Sequence, residues 1–116
     1  MSSHAKVIRF YGVSLTRRES EAVPAPGDDV SDDSPWGRAW AAQQPADGVV
    51  VGEFGFYDQP RLFVAAAGSV AIGGLWEPLP LPVVFPIQTD AAVKAYCETW
   101  GLPVREPGWY AVPYYG

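Results

Sequence analysis

Several groups of residues in this chain have side chains suited to chemistry. Cys97 and His4 supply the thiol and imidazole that nucleophilic catalysis uses. Cys97, however, falls on the apolar stripe of a helical pattern, where a cysteine acts as a small hydrophobe. Asp28, Asp29, Asp32 and Asp33 invite a calcium reading, but a calcium loop needs alternating oxygen ligands, a central glycine and a distal Glu. The run DDVSDD lacks that spacing and reads as a solvated acidic loop. Glu53 and Asp58 are a carboxylate pair of the kind used in acid–base work. Glu53 is the more notable, because it interrupts an apolar strand; solvent, or a partner such as Arg9 or Arg61, accounts for it. Gly52, Gly55, Gly68, Gly73 and Gly74 match neither GxGxxG nor GxxxxGK[ST], so no phosphate loop is read here. What remains is a surplus of aromatics: Trp36, Trp40, Trp76, Trp109, Tyr110, Tyr114 and Tyr115. They exceed what one small core needs, and Trp and Tyr are favoured at interface hot spots. The residue types therefore point to binding, with no catalytic centre, metal site or cofactor.

Composition narrows the setting. The chain has 116 residues, which fits a single domain spanning 1–116. One cysteine excludes an internal disulfide and any multi-cysteine zinc site. No apolar run is long enough for a transmembrane helix; the nearest, Leu62 to Leu75, is short and interrupted by glycine. Met1 to Lys6 lacks the basic-then-apolar pattern of a secretory leader. A cytoplasmic protein is the expectation. The formal net charge is −5, which repels phosphate backbones and makes direct nucleic-acid binding unfavourable. The same charge favours a basic patch on a protein partner. Homo-oligomerisation is left open.

The elements that must position these residues follow from pattern. Lys6 to Thr16 is β-branched and aromatic, with Ile8 and Phe10 on one face and Val7, Arg9, Tyr11, Val13 and Leu15 on the other. This predicts a largely buried strand, and Gly12 within it marks a bulge or a close backbone approach. Arg17 to Asp33 carries Glu19, Glu21 and the four aspartates without an apolar period, and reads as an acidic loop. Ser34 and Pro35 suit the cap and first position of a helix to Gln44, at an end or edge of the sheet, with Trp36 and Trp40 on one face. Gly48 to Leu79 reads as a β-hairpin turning at Asp58–Arg61. In its first strand, Val50, Gly52, Phe54 and Phe56 share one face; Val49, Val51, Glu53, Gly55 and Tyr57 share the other. In its return strand, Leu62, Val64, Val70 and Ile72 form a bulky face and Phe63, Ala65, Ala67, Ser69 and Ala71 a smaller one. The small face predicts a helix packed closely on it. Gly73–Gly74 is a turn or a bulge.

Trp76 to Pro86 holds four prolines, so it is neither helix interior nor central strand. It reads as an extended crossover packing Leu and Val on the core, in preference to a polyproline ligand. Thr89 to Trp100 predicts a helix capped by Thr89 or Asp90, with Val93, Tyr96, Cys97 and Trp100 as its apolar stripe. Gly101 takes the position after its end. Gly108 to Gly116 is an aromatic strand that Pro113 places at an edge or makes irregular there. The predicted fold is α+β: a four- to five-stranded, mostly antiparallel sheet with one or two packed helices.

The opening Arg9-Phe10-Tyr11-Gly12-Val13 and the ending Gly108-Trp109-Tyr110-Ala111-Val112-Pro113-Tyr114-Tyr115-Gly116, with a capped helix before it, resemble small proteins of phages and mobile elements. The resemblance covers the two ends of the chain. It implies a non-catalytic protein that inhibits or neutralises a macromolecular partner, as anti-CRISPR and toxin-immunity proteins do; the partner would be a host defence complex, a nuclease or a toxin. The partner-binding residues expected on this reading are Glu19, Glu21, Asp28, Asp29, Asp32, Asp33, Trp36, Trp40, Tyr110, Tyr114 and Tyr115. The alternative is a small-ligand protein, such as a sponge for a nucleotide signal, using stacked Tyr or Trp with Arg9, Arg61 or Arg105.

Overall fold

The computed structural model describes residues 5–24, 34–41, 48–56, 59–74 and 87–115. In chain order the elements are β1 (Ala5–Ser14), α1 (Arg17–Glu21), α2 (Pro35–Ala41), β2 (Val49–Phe56), β3 (Gln59–Ala66), β4 (Ala71–Gly74), α3 (Ile87–Thr99) and β5 (Gly108–Tyr115). The fold is α+β, as expected. Trp76 to Pro86, with the PLPLP run, lies outside the described residues. Among those described, no helix is long and apolar enough to cross a membrane.

β1 organises the sheet, whose strand order is β3-β2-β5-β1-β4 with a further β1–β3 pairing. On one side β1 pairs antiparallel with the whole length of β5, from Ala5↔Tyr115 to Gly12↔Gly108. On the other it pairs first with β4, Lys6↔Gly74 to Arg9↔Ala71, and then with β3, Gly12↔Ala65 to Ser14↔Phe63. β3 continues into β2 as a hairpin, and β2 meets β5 in parallel at Gly55↔Tyr114. Strands β1, β3, β2 and β5 thus form a curled circuit, with β2–β5 its weakest link.

The curl separates two apolar clusters. Inside lie Ile8, Phe10, Phe54, Phe63 and Ala65, with Val70 and Val112 against them. Phe10 stacks on Phe63 at 4.3 Å between ring centroids, and on its other side Tyr110 stacks at 5.3 Å. Outside lie Val13, Leu15, Val49, Val51, Leu62 and Val64, covered by Trp36 of α2, by Val93 and Cys97 of α3, and by Leu102. The α3 stripe is as predicted, and its end is a Schellman motif: Leu102 N–H donates to Cys97 O (2.8 Å) and Gly101 N–H to Glu98 O (3.3 Å). Gly101 takes φ +68° there, which only glycine adopts without strain. α2 begins as read: Ser34 Oγ accepts from Gly37 N–H at 3.2 Å, and Pro35 opens the helix.

Several expectations are corrected. The helix α3 lies on the bulky Leu62/Val64 face. The Ala65 face turns into the curl instead, where aromatic rings leave room only for small side chains. The return half of the hairpin is two strands, because β3 ends at Ala66 and Gly68 turns at φ +83° before β4. Gly73 and Gly74 pair with β1 as strand. The turn is tighter than Asp58–Arg61: Phe56 pairs with Gln59, Gly55 with Pro60 and Phe54 with Arg61. Pro60, which has no N–H, sits opposite Gly55 at φ +97°. Thr89 and Asp90 lie inside the first turn of α3, which starts at Ile87. β5 is no edge strand, since it lies between β1 and β2; its contact with β2 is brief, which tolerates the missing donor of Pro113.

Gly12 meets its expected close approach. A Cβ there would stand 2.0 Å from Val64 O and 2.6 Å from Ala65 Cα. Gly12→Ala should lower the free energy of unfolding by about 3 kcal/mol or more, at or beyond the upper range for overpacking. Gly108→Ala, whose Cβ would meet nothing within 4 Å, should stay within about 0.5 kcal/mol of wild type. Urea denaturation followed by tryptophan fluorescence reads both.

Candidate functional site

The acidic segment begins as a helix. Thr16 Oγ1 accepts from Glu19 N–H (3.1 Å), and Glu19 Oε1 accepts from Thr16 N–H (2.8 Å). This capping box makes Arg17–Glu21 helical where a loop was expected. Ser20, fully buried, docks the turn: its Oγ donates to Thr16 O (2.8 Å) and accepts from Leu62 N–H (3.0 Å), while Trp36 Nε1 donates to Ser20 O (3.2 Å). Glu19 also receives Arg105 Nη2, and Arg105 Nη1 donates to Ser14 O (3.1 Å). Glu19 therefore ties α1 to the segment before β5. Glu21 is exposed and pairs with Arg17 at 2.9 Å. Asp28, Asp29, Asp32 and Asp33 lie outside the described residues, as do His4, Asp58 and Trp76.

The tryptophans of α2 share a face, 5.5 Å between ring centroids, but differ in setting. Trp36 is buried in the outer cluster, whereas Trp40 is 55% exposed. Trp40 Nε1 donates to Glu53 Oε2 at 3.1 Å, so the partner of Glu53 is an indole rather than Arg9 or Arg61. Beneath them Arg38, buried, donates Nη2 to Val49 O (2.5 Å), and its guanidinium lies over the Tyr96 ring at 5.1 Å. The helix is thus pinned to β2 and α3, on the outer face of the sheet. Arg9 donates to Ser69 O (3.1 Å) and covers Trp109 at 4.9 Å. Tyr11 lies edge-on to Trp109 and donates its hydroxyl to Asp90 Oδ1 (2.8 Å). That bond, with partial burial, raises the Tyr11 pKa.

A different place gathers side chains around a space. Between the tip of the β2–β3 hairpin and β5 lies a cavity of about 460 Å³, lined by Ser14, Arg17, Phe54, Gly55, Gln59, Arg61, Tyr110, Val112 and Pro113. Arg61 lies over the Phe54 ring at 4.9 Å and donates Nε to Leu15 O at 3.0 Å. Of the aromatics expected to bind, Tyr110 stands here. Tyr114 and Tyr115 are placed by backbone alone, opposite Lys6 and Ala5. Arg17, Phe54 and Gln59 were not anticipated; only the β1–β5 and β2–β5 pairings bring them beside Tyr110.

The chain matches no protein-family model, no curated protein and no solved structure. Among the described residues no group of His, Cys, Asp and Glu is placed to hold a metal ion. Cys97 is fully buried on α3, and burial pushes its thiol up to about 11, against a smaller opposing pull from Arg105.

Two measurements check this account. The Arg105 hydrogen bond, helped by Thr16, holds the Glu19 carboxyl below its ordinary 4.5 despite partial burial. Its contribution to stability is complete above 4.5 and is lost as pH falls through the lowered folded value. Glu19→Gln should therefore flatten the acid limb of the stability–pH curve below pH 4.5, and unchanged acid sensitivity would refute the latch. Cys97 should react with a disulfide reagent at pH 8 at least about tenfold more slowly in native protein than in urea, since only exposed thiolate attacks.

Proposed function

We propose that this is a non-catalytic binding protein that inhibits or neutralises a macromolecular partner, the class implied by the resemblance of its two ends to small proteins of phages and mobile elements, and that it engages this partner through the α2 face. The observation that carries the reading is the Trp40 indole: large, 55% exposed, yet held by Glu53 and by Trp36 beneath it. A pre-positioned aromatic loses little freedom on binding, and tryptophan is the side chain most enriched at hot spots. The Glu53 carboxylate beside it and the net charge of −5 suit a partner with an apolar pocket and a basic rim, such as the nucleic-acid-binding face of a nuclease or defence complex. Inhibition would follow from occupying that face, without chemistry. A small-ligand reading is favoured by a separate observation, the arginine-bearing cavity beside β5, and the two do not exclude each other.

Trp40→Ala should weaken complex formation with a partner identified by co-purification and size-exclusion chromatography by about 2 kcal/mol or more, with little change in stability. Trp36→Ala, by contrast, should destabilise the fold by about 3–5 kcal/mol. A Trp40→Ala protein that still binds at wild-type affinity would place the interface elsewhere.

A further inference from the structure

We propose that the cavity between the β2–β3 hairpin and β5 binds a planar organic anion: an aromatic or heteroaromatic ring carrying a phosphate or carboxylate. Four observations converge. Its volume, about 460 Å³, falls in the usual range for small-molecule sites, roughly 300–1,000 Å³. Its apolar wall is made by Phe54, Val112 and Tyr110, and Tyr110 is backed by Phe10 in a ring stack at 5.3 Å. A rigid aromatic floor of this kind accepts a flat ring by stacking.

The polar wall is cationic. In a chain with 13 acidic and 8 basic side chains, the described residues lining this cavity include Arg17 and Arg61 and no carboxylate. Arg61 is oriented for use: its Nε donates to Leu15 O and its plane lies over Phe54. Its two Nη groups meet no acceptor among the described residues. A guanidinium fixed by Nε and by stacking presents the remaining N–H groups as a fork, which suits a carboxylate or a phosphate. Arg17, tied to Glu21 through Nε alone, stands at the lip, where its charge draws an anion inward.

This site is independent of the Trp40 surface. Glu53, the partner of Trp40, and Phe54 are consecutive on β2 and so face opposite sides of the sheet. Losing one proposal leaves the other standing.

The test uses the whole chain and three probes: adenosine 5′-monophosphate, guanosine 5′-monophosphate and 2-naphthoate, with adenosine and inorganic phosphate as controls. Isothermal titration should give a Kd below about 1 mM for at least one ring-bearing anion, accompanied by a rise in melting temperature. Each control should bind at least about tenfold more weakly, because each lacks one half of the recognition. The nucleotides against the naphthoate decide between phosphate and carboxylate as the preferred anion. Arg61→Lys keeps the charge but not the fork and should weaken binding about tenfold. Arg17→Gln, at the surface, should weaken it about threefold and reduce its dependence on salt. Absence of binding by all three probes at 5 mM (about the top of the range a weak site would need) overturns the proposal. So does binding that is equal in wild type and Arg17→Gln and in folded Arg61→Lys.

Discussion

At Gly12 the backbone of β1 passes so close to Val64 and Ala65 that no side chain fits between them. This contact lets one strand serve two partners along the same edge, β4 first and β3 afterwards. The interval between them is filled by Ser69, fully enclosed, whose Oγ accepts from Tyr11 N–H (3.1 Å) and donates to Ala66 O (2.7 Å). One hydroxyl thus replaces the ladder bond that the corner at residues 67–70 interrupts, so the half-buried backbone donor of Tyr11 is satisfied. Closure of the curl follows: β1 held to both β3 and β5 brings Phe10, Phe63 and Tyr110 into one stack.

The two sides of the sheet are secured by different means. The inner side relies on aromatic stacking in a confined space. The outer side relies on aliphatic packing under α2 and α3, with polar ties at the margins: Trp36 to Ser20, Arg38 to Val49 and Glu19 to Arg105. These ties link chain segments separated by 16, 11 and 86 residues respectively, so they position whole elements instead of extending any one of them. All four arginines involved in such ties or stacks (Arg9, Arg38, Arg61 and Arg105) donate to a backbone carbonyl, which explains how an acidic protein holds cationic groups in place without pairing each with a carboxylate.

Local pattern was legible wherever it was periodic or capped. The α3 stripe, its glycine stop, the Ser34–Pro35 start, the two faces of β1 and the close approach at Gly12 could all be read from residue type and spacing. Pairing was not legible. That β1 touches three strands, that β5 is interior despite Pro113, and that alanines on β3 turn inward are facts of closure, and no short-range signal encodes them. The missed α1 helix shows the same limit at smaller scale: Thr16 and Glu19 form a capping box, but the prolines and aspartates that follow hid it within a longer acidic run. For the site, residue type alone treats the tryptophans of α2 alike; only the sheet separates Trp36, which is core, from Trp40, which faces solvent.

The strand circuit also makes the closure of the sheet depend on the two ends of the chain meeting. β1 is formed first along the chain, yet its longest partner, β5, begins at Gly108, nearly the full chain away. Without β5, β1 holds only β3 and β4 and keeps one open side. Contacts of such long sequence separation slow the search, and an unpaired apolar strand is a template for self-association. The Tyr110–Phe10 stack therefore seals the side of the curl that β5 closes. Until it forms, the inner cluster lacks its fourth wall.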